Sequence, residues 1–150
     1  MSMKSVDYLQ MPECVYNAVK VPLNAKSRKL YEAMERDMLF ELKDTTITAA
    51  NAATVTGKLL QLAQGAVYDE GGNWYTIHDE KLDALADIVE AANGKPVLVY
   101  YSYKHDRDRI SERFNAREIK DDKDISEWNA GKIQLAIAHP ASCGHGLNLQ

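Results

Sequence analysis

The chain has 150 residues, a net charge of −4 and a pI near 5.5, with 45% hydrophobic and 27% charged residues. This is the size of one domain, and the composition is ordinary for a soluble globular protein. The acidic balance argues mildly against strong autonomous nucleic-acid binding, although a local basic patch is still compatible with it. No apolar run approaches the ~20 residues that cross a bilayer, and residues 1–9 lack an apolar signal core. Cys14 and Cys143 give no disulfide framework, so we expect a cytoplasmic protein without membrane contact.

The first half of the chain predicts helices followed by a hairpin. Alternating valines predict a short strand over Val15–Val21. Apolar residues at four-residue steps predict a helix over Ala25–Lys43 with Asn24 or Ser27 as its cap. A second helix is expected from about Thr48 to Gln64, with its inward face formed by Ala53, Leu59, Leu60 and Ala63. The aromatic run Ala66–Ile77, interrupted by Gly71-Gly72, predicts a β-hairpin.

Helical and strand patterns alternate in the second half of the chain. The predicted order is helix Asp79–Asn93, strand Val97–Tyr101, helix Tyr103–Asn115, strand Ala116–Ile119, helix Asp122–Ala130 and strand Ile133–Ala138. This alternation indicates right-handed crossovers and a parallel sheet, and the unbroken apolar run at residues 97–101 is typical of a strand covered on both faces. We therefore predict an α/β fold with a helical and hairpin lead-in at residues 1–78 and the α/β core at residues 79–150.

The most informative segment for function follows the last predicted strand. Residues 139–150 form a polar loop containing Gly144 and Gly146, which allow the backbone to approach a ligand closely. Open α/β sheets bind ligands at the carboxyl ends of their strands. Ser102, Tyr103 and Lys104 follow the earlier strand at the same predicted edge, and a hydroxyl, an aromatic ring and a lysine suit a phosphate backbone. The alternative is a structural turn here, with Ser102 as a helix cap and Leu147 and Leu149 as core residues.

Residues 81–150 resemble the C-terminal RecA-like domain of superfamily 2 helicase-like ATPases, within the Snf family of DNA translocases in its bacterial and phage branch. The resemblance is carried by four segments: the helix Lys58-Leu59-Leu60-Gln61-Leu62, the helix start Lys81-Leu82, the strand from Lys95 to Ser102, which resembles motif IV, and the strand Ile133–Ala138 with Gly144–Gln150, which resembles motif V. The chain departs from the family pattern at Pro140, Cys143 and His145.

The resemblance implies one of two lobes that clamp ATP between them while DNA lies across both. It implies that Gly144, Gly146, Asn148 and Gln150 face the ATP cleft, and that Ser102, Tyr103, Lys104 and Ser142 contact nucleic acid. ATP and Mg²⁺ would be bound mainly by the first lobe, so we expect no catalytic residue, metal or cofactor in this chain alone. The family's sheet continues after motif V, which predicts self-association through an exposed edge. Gly146→Val in the full-length protein is expected to abolish DNA-stimulated ATPase activity. The alternatives are a non-enzymatic interaction module and an RNA-directed lobe.

Other chemistry-bearing patterns favour structural roles. Thr56-Gly57-Lys58 lacks the hydroxyl of a phosphate-binding loop and fits a helix turn. Tyr68-Asp69-Glu70 resembles an acidic metal box, but the glycines after it favour a hairpin turn. His78-Asp79-Glu80 fits a helix start with acidic residues near the positive end of the dipole.

Three further patterns also favour structural interpretations. A zinc site would draw on His105, His139, Cys143 and His145, and it lacks paired ligand spacing. Cys143 with His145 as a base is poorly arranged for a thiol nucleophile. The basic residues from Lys104 to Arg117 are interleaved with acids, which is typical of a solvated, ion-paired helix face.

Overall fold

The computed structural model describes residues 14–43, 49–143 and 149 of the chain. The helices are α1 (Ala25–Lys43), α2 (Ala49–Gln64), α3 (Glu80–Ala91), α4 (Lys104–Phe114), α5 (Asp122–Asn129) and α6 (Pro140–Cys143). The strands are β1 (Ala66–Tyr68), β2 (Trp74–Thr76), β3 (Val97–Tyr100), β4 (Arg117–Glu118) and β5 (Leu135–Ala138). Within these described ranges, no helix has the length and apolar character to cross a bilayer.

The second half of the chain builds a parallel sheet of three strands in the order β3-β5-β4. Tyr100 of β3 is paired with Ala138 of β5, and Glu118 of β4 is paired with Ile137. All three strands therefore end at the same edge, and the predicted parallel α/β sheet is confirmed.

Successive residues of β5 face opposite helix layers, as the two-residue period of a strand requires. Ile137 is fully buried against Leu82 of α3 and Ile110 of α4. Ala136 and Ala138 are buried on the other face with Trp128 of α5. The chain moves from β3 over β5 to β4 and then returns to β5, so crossovers of one hand place α4 and α5 on opposite faces.

The predicted helix α1 has the expected bounds, and the side chain of Asn24 accepts the Ser27 backbone N–H at 2.8 Å. Asn24 is therefore the cap, and Ser27 is not. The hairpin is also confirmed, with β1 and β2 antiparallel and Gly72 at φ 81° in the turn. A positive φ at this position is readily adopted by glycine, which explains the Gly71-Gly72 signal.

A buried arginine joins the hairpin region to the sheet. Arg109 of α4 is 5% exposed and donates to the carbonyl oxygen of Gln64 at 3.0 Å and to that of His78 at 2.5 Å. Its guanidinium also pairs with Asp79 at 2.7 Å. Gly65 lies against this group with φ 102°. The end of α2, the start of α3 and the middle of α4 thus meet at one cation.

Two details of the sequence prediction are wrong. Residues 15–21 form no strand, and Val15 and Val19 are exposed, because alternation stabilises a strand only when a neighbouring strand pairs with it. On α2 the buried residues are Val55 and Leu62, whereas Ala53 and Leu60 are exposed. The short run of alanines and leucines around these positions fixes the helix but leaves its rotation ambiguous.

The strand β3 was predicted to be covered on both faces, and its residues do pack on both: Leu98 lies against the cluster with Trp128, and Val99 lies against the cluster with Leu82. In the described sheet β3 is an edge strand, and Tyr100 at its end is 54% exposed. An apolar run shows that a strand is partly buried, but it does not distinguish an edge position from a central one.

Candidate functional site

The candidate site is the edge of the parallel sheet where β3, β5 and β4 end. The connection after β3 enters α4 on one face of the sheet. Leu149, which follows β5 in the sequence, lies on the other face, since it packs against the cluster that contains Trp128 and Ala138. Residues that follow the neighbouring strands β3 and β5 thus lie on opposite faces of the sheet, and open α/β sheets bind ligands at an edge of this kind.

The residues predicted after β3 lie at this edge. Ser102 and Lys104 are exposed, and neither makes a polar contact with the part of the chain that the structure describes. Tyr103 precedes α4 as its N-cap residue, and its backbone N–H donates to Asp106 at 3.1 Å. The predicted cap Ser102 therefore lies one residue before the helix cap. Lys104 leaves one free ammonium group at the start of α4, available to an anionic ligand.

The ring of Tyr103 is only partly available to a ligand. It stacks on His105 with ring centroids 5.1 Å apart and an interplanar angle of 15°. The tyrosine is half-buried and the histidine is fully buried. One ring face of Tyr103 is thus used for packing within the protein.

A hydrogen bond bridges the two outer strands across β5. The hydroxyl of Tyr101 donates to Glu118 at 2.8 Å, and Lys120 pairs with the same carboxylate at 2.9 Å. Burial and the bond to this carboxylate raise the pKa of Tyr101 to about 12. Burial favours the neutral form of Glu118, but the hydrogen bonds from Lys120 and Tyr101 outweigh it and lower the pKa of that carboxyl. At neutral pH the bridge therefore joins a neutral phenol to a carboxylate.

The end of β5 is organised by His139. Its ring contacts Tyr101 edge-on at 5.4 Å, and its Nδ1 accepts the Ala141 N–H at 3.2 Å. Pro140 then starts the one-turn helix α6, which suits a residue without an N–H. Ser142 lies exposed on α6, with its N–H bonded to the His139 carbonyl at 2.9 Å. The sequence predicted an irregular loop here, and Pro140–Cys143 are instead helical.

The remaining predicted site residues are Gly144, Gly146, Asn148 and Gln150, and they lie outside the described residues. Leu149 is described, and it is half-buried against the core cluster on the α5 face. The core role considered for Leu149 is thereby supported.

A cleft of about 190 Å³ lies beside the end of β3, on the α3 and α4 face. Its floor is apolar, with Leu82, Val99 and Ile110 among the lining residues, and Lys81 and Ser102 are part of its polar rim. The cleft is large enough for a side chain or a small ring, and it is well below the size of common cofactor pockets.

The sequence patterns judged structural are found in structural roles. Gly57 and Lys58 lie within α2, and Lys58 donates to the Tyr68 carbonyl at 2.5 Å. Asp69 is in the hairpin turn, where hydrogen bonds from Asn73, opposed by partial desolvation, lower the pKa of the carboxyl. Glu80 starts α3 and accepts the Asn24 N–H at 3.2 Å.

Among residues 14–43, 49–143 and 149, no cluster of three or more histidine, cysteine or acidic side chains is placed to hold a metal ion. His105, one of the residues considered as a zinc ligand, is fully buried among aromatic rings. Described residues also provide no phosphate-binding loop.

The basic run on and after α4 is ion-paired as predicted, but mostly not within the helix. Arg113 pairs with Asp83 of α3, and Arg117 pairs with Asp124 of α5. Arg109 departs from the predicted solvated face, because it is buried at the junction with His78. The burial of Arg109 was not predicted, because a sequence does not show which carbonyl oxygens will surround an arginine.

The chain is similar in sequence to a phage protein. It is 46% identical over 153 aligned residues to protein p41 of Acyrthosiphon pisum secondary endosymbiont phage 1, a relative whose name states no activity. The match covers all of this chain and 33% of the relative, so the chain spans about a third of the relative's length. No model of a known protein family matches the chain, and no solved structure matches it.

Two groups at the site were not found by sequence reasoning. The Tyr101–Glu118 bridge was missed because Tyr101 was counted only as the last apolar residue of a strand. The role of His139 was considered only as a metal ligand. Pro140 directly after a buried strand is a local signal for a helix start, since proline is favoured at the first helical position, and it would have suggested α6.

Proposed function

We propose that the chain forms the second RecA-like lobe of an ATP-dependent DNA translocase, and that the β3–β5 edge contacts the nucleic-acid backbone. The observation that carries the proposal is the pairing of Tyr100 with Ala138, which brings the end of the motif IV-like strand beside the end of the motif V-like strand. The resemblance predicts both segments at one ligand-binding edge. The 46% identity to a longer phage protein supports the proposal that the chain works as part of a larger protein.

The charges at the β3–β5 edge indicate which residues would bind the nucleic-acid backbone. Lys104 is an unpaired cation among the described residues, whereas Lys120 and Arg107 are neutralised by Glu118 and Asp108. Lys104 would bind a phosphate, and the exposed hydroxyls of Ser102 and Ser142 would donate to neighbouring phosphate oxygens. ATP hydrolysis would depend on a first lobe that supplies the phosphate loop and the acidic metal site, so this chain alone would be inactive.

The experiment compares Lys104→Ala with Lys95→Ala in the full-length protein. Lys95 is an exposed lysine at the opposite, amino-terminal end of β3, so its substitution removes the same charge away from the site. We expect Lys104→Ala to raise the duplex DNA concentration that half-saturates ATPase activity about three- to ten-fold and to lower the salt dependence of binding by about one ion. Lys95→Ala is expected to behave like the wild type.

Each other outcome has a definite meaning. ATPase activity that responds to RNA and not to DNA would replace the substrate with RNA. An absence of ATPase activity with any nucleic acid would contradict the translocase proposal and favour an interaction module. Equal effects of both lysine substitutions would reject the β3–β5 edge as the binding surface.

A further inference from the structure

A chain of contacts runs from α2 through the hairpin to the first turn of α4, and Tyr68 lies at its centre. Tyr68 is bound on its backbone by two side chains of α2: its N–H donates to Gln61 at 3.1 Å, and its carbonyl accepts from Lys58 at 2.5 Å. Lys58 and Gln61 are three residues apart, so they lie on one face of the helix. Both belong to the Lys58–Leu62 segment that the resemblance singled out and that the proposed function leaves unexplained.

The phenol of Tyr68 reaches across to α4. Its hydroxyl accepts the backbone N–H of His105 at 3.0 Å. His105 is the second residue of α4, and its N–H is one of the four that a helix cannot satisfy from within. A side chain 37 residues away thus completes the first turn of the helix that begins with Lys104.

The His105 side chain fills the space between the hairpin and this turn. It is fully buried, with its ring centroid 5.1 Å from that of Tyr68, 6.3 Å from that of Trp74 and 5.1 Å from that of Tyr103. Its Nδ1 lies 3.0 Å from the Asp106 carboxylate, whose other oxygen accepts the Tyr103 N–H. The packing and the hydrogen bonds together fix the backbone on both sides of Lys104.

We propose that Tyr68 is a positioning residue for the nucleic-acid contact at Ser102–Lys104, held in place by Lys58 and Gln61 and acting through His105. This inference rests on the proposed function and adds a role for the hairpin. The hairpin would orient the first turn of α4 so that the Lys104 ammonium group faces a phosphate group. Tyr68 itself would not touch the nucleic acid.

The test uses Tyr68→Phe in the full-length protein, with Tyr75→Phe as the matched control. Both substitutions remove one phenolic hydroxyl from the same hairpin, and the Tyr75 hydroxyl donates to Asp69 in the turn, away from α4. Tyr68→Phe is expected to raise the half-saturating DNA concentration about two- to ten-fold, as the loss of one hydrogen bond allows, with kcat at saturating DNA unchanged. Hydrogen exchange of the His105 amide should become faster in the same variant.

The outcomes separate this inference from the proposed function. If Lys104→Ala weakens DNA stimulation while Tyr68→Phe matches Tyr75→Phe, the positioning role is rejected and the proposed function stands. If Tyr68→Phe lowers kcat and leaves the DNA dependence unchanged, Tyr68 acts elsewhere and the inference is equally wrong. If the wild type shows no DNA-stimulated activity, the proposed function and this inference fail together.

Discussion

Gly65 shows how one residue can hold the junction between the two halves of the chain. It follows α2 with φ 102°, and its carbonyl accepts the backbone N–H groups of Ile77 and His78 at 2.8 and 3.2 Å. A methyl group at this position would lie 2.4 Å from the His78 carbonyl oxygen and 2.8 Å from the Arg109 guanidinium. Neither neighbour is free to move, since each is hydrogen-bonded to the other.

Gly65→Ala is expected to lower the free energy of unfolding by about 2 to 4 kcal/mol, through backbone strain and the clash with Arg109. Gly57→Ala is the matched control, because Gly57 lies within α2 and a methyl group there would meet nothing within 4 Å. That substitution should stabilise the protein by about 0.5 to 1 kcal/mol, since alanine is the better helix former. Urea denaturation measures both changes, and a loss of similar size in both variants would contradict the proposed packing at Gly65.

At the scale of elements, β4 and α5 are joined by the carboxylate of Asp124. Asp124 is 4% exposed and accepts from the Arg117 guanidinium at 2.7 Å and from the Lys120 N–H at 2.9 Å. Its own N–H is bonded to Asp121, which caps the helix. The Lys120 N–H is the largest influence on its pKa, and together with Arg117 it lowers the pKa of Asp124 despite the opposing effect of burial.

This carboxylate makes stability depend on pH in a defined direction. A carboxyl group whose folded pKa is below its unfolded pKa of about 3.9 contributes fully above that value, and the contribution is lost as the pH falls through the folded pKa. We expect the urea midpoint of the wild type to fall between pH 5 and strong acid. Asp124→Asn should be less stable at neutral pH and should lose less on acidification. Parallel pH profiles of the two proteins would show that Asp124 is not a source of the acid sensitivity.

The elements themselves were largely predictable from local patterns, and their relations were not. The four-residue apolar steps and the Asn24 cap determine α1, and the glycines at positions 71 and 72 determine the hairpin, because these signals lie within one segment. The exposure of Tyr100, the burial of Arg109 and the bridge from Tyr101 to Glu118 depend on which strands become neighbours. The order in which strands pair cannot be derived from local patterns in a single sequence, so these contacts could not be predicted.

For the candidate site, the sequence indicated the correct edge of the sheet but not its internal contacts. Ser102, Lys104 and Ser142 lie exposed near the strand ends, as expected from their position after apolar runs. One ring face of Tyr103 is stacked on His105, a contact that the sequence did not indicate. The assignment of the glycine loop stays a prediction.

At the scale of the whole molecule, the described contacts cross the boundary that the sequence placed near residue 78. Arg109 joins α4 to Gln64 and His78, and Tyr68 joins the hairpin to His105. Buried contacts of this kind make the stability of one part depend on the other. We therefore expect the hairpin region and the parallel sheet to unfold together.

The two tryptophans of the chain report on these regions separately, because Trp74 lies on the hairpin and Trp128 on α5. With fluorotryptophan incorporated, the fluorine NMR signals of the two residues should show the same urea midpoint, as expected for one cooperative unit. Arg109→Met should move both midpoints down together. A lower midpoint for Trp74 than for Trp128 in the wild type would instead show two independently stable parts.

The hydrogen bond between Tyr101 and Glu118 has a mechanical consequence for the sheet edge. It links the two outer strands across β5, and the Lys120 ammonium pairs with the same carboxylate. Because this link holds the ends of β3 and β4 at a fixed spacing, we expect this edge of the sheet to be rigid. We therefore expect the connecting backbone after the strands to adjust when a ligand binds at this edge. The strands themselves should keep their separation.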